Sequence, residues 1–183
     1  PLRRGSQTVL FDILVALTKL MAPVLSFTAE EIWRMLPESV RVDSKADSVH
    51  LAMFPEVDPR WNDLVLAERW EQLLEVRTAV QAALEVQRRE KVIGAPLEAK
   101  VLIDAHSAQY NLLKTYGQDL PAFFIVSDVV LQSAPDLPEK PGFVITVEKA
   151  TGVKCERCWN YRGSVGTSSD HPTLCDRCVE AVR

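Results

Sequence analysis

The sequence predicts a multidomain, mainly α-helical chain: an antiparallel helical bundle, then a small α+β module, then a zinc-ribbon-like tail of four cysteines. Three observations carry this. Apolar residues recur at helical spacing through most of residues 6–91, the mark of amphipathic helices. Beyond Gly94 and Pro96 the pattern shortens into extended runs separated by turn residues. Every cysteine falls in one stretch, as Cys155-Glu156-Arg157-Cys158, sixteen residues, then Cys175-Asp176-Arg177-Cys178.

Leu10, Ile13, Leu14, Leu17, Leu20 and Met21 form the stripe of the first helix, over residues 6–21, and Pro23 ends it. Thr28-Ala29-Glu30-Glu31 reads as a capping box, with Thr28 as N-cap, opening a helix through Ile32, Trp33, Met35 and Leu36. Pro37 stops that helix, and residues 48–51 read as a short extended piece. A long helix is expected from Asp63 to Lys91, with Leu66, Trp70, Leu73, Val80 and Leu84 on its stripe. Three helices with short connections suggest an antiparallel bundle over residues 1–92.

Residues 93–149 form the expected α+β module. Leu97–Ile103, Phe123–Val126, Asp128–Leu131 and Phe143–Val147 read as extended, and Ser107–Tyr116 as helical. Ser133–Gly142, with Pro135, Pro138 and Pro141, is a loop. The tail occupies residues 150–183.

Two Cys-x-x-Cys knuckles at this separation suit one tetrahedral zinc, with Cys155, Cys158, Cys175 and Cys178 each supplying a thiolate at about 2.3 Å. Two disulfides or idle thiols are the alternatives. Four thiolates leave no open coordination position, so one structural zinc per chain is expected rather than a hydrolytic centre. His171 lies between the pairs and is the one further side chain that could replace a thiolate.

The 183 residues allow one sizeable core or two smaller ones. The net charge of −4 excludes a broad electrostatic grip on nucleic acid. Four thiolates with one dication would add about −2 more, so any RNA contact has to be local. No apolar run approaches the roughly 20 residues of a membrane span. The basic opening leads into a helix with Asp12 and Lys19, unlike a signal peptide. Thiols kept reduced for a metal point to the cytoplasm.

Ala22-Pro23, Phe27, Glu30-Glu31 and Trp33 match an Ala-Pro-x-x-x-Phe-x-x-Glu-Glu-x-Trp signature. The segment Thr8–Trp33 thereby resembles the anticodon-binding helical domain of class I aminoacyl-tRNA synthetases for isoleucine, valine and leucine. Ser26 replaces the second proline usual before the Phe. Ser48–Leu51, Arg77 with Val80 and Glu85, Glu90–Ala99 and Lys154–Tyr161 are similar to the C-terminal third of bacterial isoleucyl-tRNA synthetases. The resemblance covers essentially the whole chain. It implies a bundle truncated at its N-terminus, recognition of the anticodon stem-loop of isoleucine tRNA, and the rest of a monomeric synthetase as covalent partner. The parent ligase makes an aminoacyl-adenylate from ATP. Neither the His-x-Gly-His nor the Lys-Met-Ser-Lys-Ser type of ATP signature occurs here, so the fragment is expected to bind tRNA without making the acyl bond. Two other classes stay open: a structural module that joins domains without touching RNA, and a fragment of a zinc-finger DNA-repair glycosylase.

Phe27, Trp33 and the leucine stripe are expected in the core, Glu31 as a cap, and His50 and His106 as structural histidines. Gly94 is expected to make a sharp turn after the long helix. Arg88, Arg89 and Lys91 form the densest basic cluster, read either as a solvated helix end or as phosphate contacts. Trp159 and Tyr161, with Arg157, Arg162 and Arg177 nearby, have two readings. They are a platform for unpaired RNA bases, or Trp159 is the packing anchor of a small zinc module.

Overall fold

The structure, a computed structural model, describes residues 2–43 and 46–182. The chain divides after Asn62 into two compact units, each with its own core.

In the first unit, α1 (Leu2–Met21) ends before Pro23, where the ring removes an amide donor. The amides of Val24 and Leu25 instead close onto the Met21 carbonyl at 2.9 and 2.8 Å. Next come α2 (Ser26–Met35) and α3 (Glu38–Asp43). Trp33 is 0% exposed, among Ala22, Ala29, Leu36, Ala46 and Val49. Its indole N–H donates to the Ala46 carbonyl at 3.1 Å, the partner a buried Trp needs.

Several local expectations are corrected here. Helix α2 starts two residues before Thr28, with Leu25 in the N-cap position and no side-chain cap, so the capping box does not form. Glu30, rather than Glu31, does the tethering: it accepts from the Ser48 hydroxyl at 2.8 Å and the Val49 amide at 3.0 Å. That contact helps hold residues 49–51 in a 3-10 turn capped by Ser48, not an extended piece. Phe27 is 94% exposed, and Leu10, Ile13, Leu14, Leu17 and Leu20 are also exposed. Periodicity located the apolar face of α1, but most of it is not covered within this unit.

The second unit begins with α4 (Leu64–Arg89), whose N-cap Asp63 accepts from the Leu66 amide at 2.9 Å. Then follow β1 (Ala99–Ala105), α5 (Ser107–Thr115), α6 (Leu120–Phe124), β2 (Asp128–Ser133) and β3 (Phe143–Lys149). The sheet order is β2-β1-β3. Strand β1 runs parallel to β2, with Lys100 opposite Asp128, and antiparallel to β3, with Ala99 opposite Lys149. Alternate residues Ala99, Val101, Ile103 and Ala105 of β1 are buried.

The buried face of α4, formed by Leu73, Val76, Val80 and Leu84, shares one core with β1, Leu113, Leu120 and Phe124. The long helix thus commits its core residues to the sheet, where a three-helix bundle was expected, and the expected boundary at residue 92 falls inside this unit. Residues 123–126, read as extended, are the end of α6 and its left-handed stop at Ile125 (φ 60°). Pro121, compatible with a first helical turn, lets that short helix form. Helix α4 closes with Lys91 left-handed at φ 60°, its amide on the Arg88 carbonyl and that of Val92 on Gln87. Lys91, rather than Gly94, therefore takes the strained turn position.

The tail adds a two-stranded ribbon, β4 (Val153–Lys154) with β5 (Tyr161–Arg162), and a closing helix α7 (Asp176–Val182) that periodicity did not reveal. No helix among the described residues is long and apolar enough to cross a membrane.

Candidate metal centre and nucleic-acid interface

The ribbon turns Cys155 and Cys158 inward from the first knuckle, while the start of α7 delivers Cys175 and Cys178 from the second. The knuckle is held by the Cys155 amide on the Asn160 carbonyl at 2.9 Å and the Trp159 amide on the Cys155 carbonyl at 2.8 Å. All four sulfurs lie within 4.8 Å of one another, and no other described residue joins the group. His171 stays outside it. Cys158 and Cys175 are 3.7 Å apart, sulfur to sulfur. A tetrahedral ion with ligands at about 2.3 Å needs edges of about 3.8 Å. The cysteines are free rather than bridged, and the cluster fits one structural zinc.

The local field favours negative sulfur at Cys155 and opposes it at Cys175. Burial opposes ionisation of Cys155, but it is outweighed by the amides of Cys158, Cys175 and Arg157, which hold the thiol down to about 6. At Cys175 burial dominates and pushes the thiol up to about 12. A dication is the charge that lets such sulfurs ionise together. Burial works against the charge of Arg177, but the neighbouring Cys158 sulfur more than compensates and holds its guanidinium protonated. Ser164 donates to Asp176 at 2.8 Å, tying the second knuckle to the loop before it. That hydrogen bond, with the Arg177 amide and the charge of Arg162, holds the Asp176 carboxyl below the usual carboxylate range.

Trp159 is not the core of this module. Its side chain is 60% exposed and its backbone is left-handed at φ 63°, a position rare for a bulky residue. The small core consists of the cysteines, with Val165 and Leu174 packed against them. Lys154 places its ammonium 5.6 Å from the centre of the indole ring. Arg157 is exposed, and Tyr161 and Arg162 are half-buried in β5. The first knuckle thus sets Lys154 beside an outward indole, and Arg177 turns toward the sulfurs.

The other basic cluster sits at the end of α4. Arg88 pairs with Glu85 at 2.8 Å, while Arg89 and Lys91 are exposed. Sequence reasoning missed two contributors. Lys154 was legible as the residue before the first cysteine. Ser127 had no local signal: its hydroxyl accepts from the Tyr161 amide, 34 positions along the chain, at 2.7 Å.

Two family models match: "Anticodon-binding domain of tRNA ligase" over residues 2–103, and "Zinc finger found in FPG and IleRS" over residues 152–181. The chain is similar to the isoleucine–tRNA ligase of Syntrophotalea carbinolica, with 47% identity over 98% of this chain and 19% of the relative. It is similar to that of Geobacter sulfurreducens, with 45% identity over 100% and 20%. To that of Moorella thermoacetica the figures are 42% over 99% and 20%. The chain therefore spans about a fifth of the length of the curated relatives it matches. With more than half of its residues matched by the first of these models, the chain belongs to the anticodon-binding domain family of tRNA ligases.

Proposed function

We propose that this chain is the C-terminal part of a cytoplasmic, monomeric isoleucine–tRNA ligase, and that it recognises the anticodon stem-loop of isoleucine tRNA. The whole ligase would join isoleucine to that tRNA through an adenylate made with ATP; this part binds and orients the RNA. Its domains are a helical region over residues 1–92, whose last helix α4 packs on the sheet of the next module, an α+β module over 93–149 and a zinc tail over 150–183. The exposed apolar residues of α1 support this reading, because they offer a surface for the remainder of the ligase. Cys155, Cys158, Cys175 and Cys178 are the zinc ligands. When bound, the ion ties the two knuckles into one rigid module.

The observation that carries the RNA reading is the outward indole of Trp159, held on a knuckle beside Lys154. An unpaired base stacks on such a face, and a cation beside it suits the adjoining phosphate. Tyr161, Arg157, Arg162 and Arg177 of the same tail are the further RNA contacts of this reading, and Arg88, Arg89 and Lys91 offer phosphate contacts from the end of α4. A glycosylase would share only the tail and leaves the match over residues 2–103 without a role. The test is Trp159→Ala in the full-length ligase. Loss of about 1–3 kcal/mol in tRNA use is expected, with zinc content and adenylate formation unchanged. Wild-type aminoacylation by a zinc-loaded variant would reject the platform and favour a purely structural tail.

A further inference from the structure

We infer that Ser127 is a positioning residue that fixes the zinc module on the sheet and so sets the direction in which Trp159 faces. Its functional consequence rests on the reading of Trp159 as an RNA-facing side chain; the clamp itself does not.

Among the described residues the buried polar side chains are Thr18 and Ser127. Thr18 spends its hydroxyl on the Leu14 carbonyl of its own helix. Ser127, 1% exposed, instead joins three segments distant in sequence. Its hydroxyl donates to the Leu97 carbonyl before β1 and accepts from the Tyr161 amide at 2.7 Å, while its own amide donates to the Ala99 carbonyl at 3.1 Å. One hydroxyl offers one donor and two acceptor sites, so a single atom serves both the sheet and the ribbon. Tyr161 lies two residues beyond Trp159 and pairs with Lys154, the cation beside the indole. Whatever holds Tyr161 therefore holds both.

A second contact acts on the same strand. Gly152, at φ 98°, passes so close that a Cβ would lie 2.5 Å from the Arg162 carbonyl carbon and 2.8 Å from the Gly163 nitrogen. Just before it, the Ala150 amide donates to the Glu98 carbonyl at 2.6 Å. The Ser127 and Ala150 contacts lie at the end of the sheet where β1 and β2 begin and β3 ends, while Gly152 braces β5 from within the tail. The module is thus docked rather than hung on its linker, and Ser127 is the side chain that docks it.

The test is hydrogen exchange by mass spectrometry on the full-length, zinc-loaded ligase carrying Ser127→Ala, with steady-state aminoacylation. Exchange at Tyr161 is expected to quicken about tenfold, with zinc content and exchange in β1 and α4 unchanged. The KM for tRNA should rise several-fold while kcat and adenylate formation hold. If Ser127→Ala loosens β1 as well, Ser127→Cys, of similar shape but weak in hydrogen bonding, carries the same test. Unchanged exchange at Tyr161 overturns the clamp whatever the KM does, and so does faster exchange accompanied by zinc loss. Faster exchange with zinc retained and KM unchanged upholds the clamp and rejects the RNA-facing reading of Trp159.

Discussion

The two units bury apolar surface in different ways. In the second, four residues of α4 meet alternate residues of β1, and helices α5 and α6 complete one continuous core. In the first, one tryptophan is surrounded mostly by small residues, while the leucines along α1 remain exposed. Both helices are amphipathic in sequence, yet only α4 has most of its stripe covered within its own unit, with Leu66 and Trp70 near its start still exposed. Hydrophobic periodicity thus reports which face wants cover, not whether the same unit supplies it. The zinc tail is a third case: its core is largely sulfur, and a metal must do what hydrocarbon does elsewhere.

The largest contrast should appear on attacking that sulfur core. Structural zinc contributes roughly 10–16 kcal/mol of apparent binding energy to small modules, which is folding energy. Cys155→Ser should therefore release zinc and unfold the chain beyond Thr151, while exchange protection in β1 and α4 persists. A variant with full zinc content and a protected tail would break the comparison, since the module would then stand without its metal.

Next come matched deletions in the two units. Leu113→Ala, at a fully buried site of the sheet core, should cost about 2–5 kcal/mol in chemical denaturation. Leu10→Ala, at a site 65% exposed in α1, should stay within about 0.5 kcal/mol in the 183-residue chain. The same Leu10 change in the full-length ligase sharpens the contrast. If the rest of the protein covers α1, the cost should climb to about 1.5–3 kcal/mol, the worth of burying a leucine. An equally small cost there would show the face uncovered in both settings.

An effect well below that of the Leu113 deletion concerns Glu30. The Ser48 hydroxyl holds its carboxyl below the ordinary range; burial opposes this, and the Val49 amide and Arg34 assist it. A depressed folded-state pKa means the stabilisation is present above the unfolded value, near 4.5, and is lost as pH falls through and below it. Glu30→Gln should cost about 1 kcal/mol at neutral pH and flatten that acid limb in pH-dependent melts. An unaltered limb would detach the 49–51 turn from Glu30.

Much of the candidate site could be read in the residue order, because knuckle spacing is a local constraint. Two Cys-x-x-Cys pairs place sulfurs on tight turns wherever those turns lie, and the four cysteines do meet. Helix termini were less legible. Thr28 and Glu31 have the capping-box spacing, yet Leu25 occupies the cap position, and Glu30 is drawn to Ser48 and Val49 eighteen and nineteen residues away. Likewise Phe123 and Phe124 read as a strand by composition, but Pro121 and the packing of Phe124 into the sheet core make them helical.

By itself, then, the sequence determined the long helix beginning near Asp63, the strands β1, β2 and β3, the proline-rich loop and the cluster of four cysteines. Each depends on spacing within a few residues, where backbone geometry leaves few choices. Only the tertiary structure decided that α4 serves the sheet, that Phe27 faces outward, that Trp159 stands clear of the sulfur core, and that Ser127 joins Leu97 to Tyr161. Those outcomes depend on surfaces and hydrogen-bond partners brought together from segments tens of residues apart. An apolar stripe or a lone hydroxyl does not encode its partner; the partner is chosen when whole elements pack.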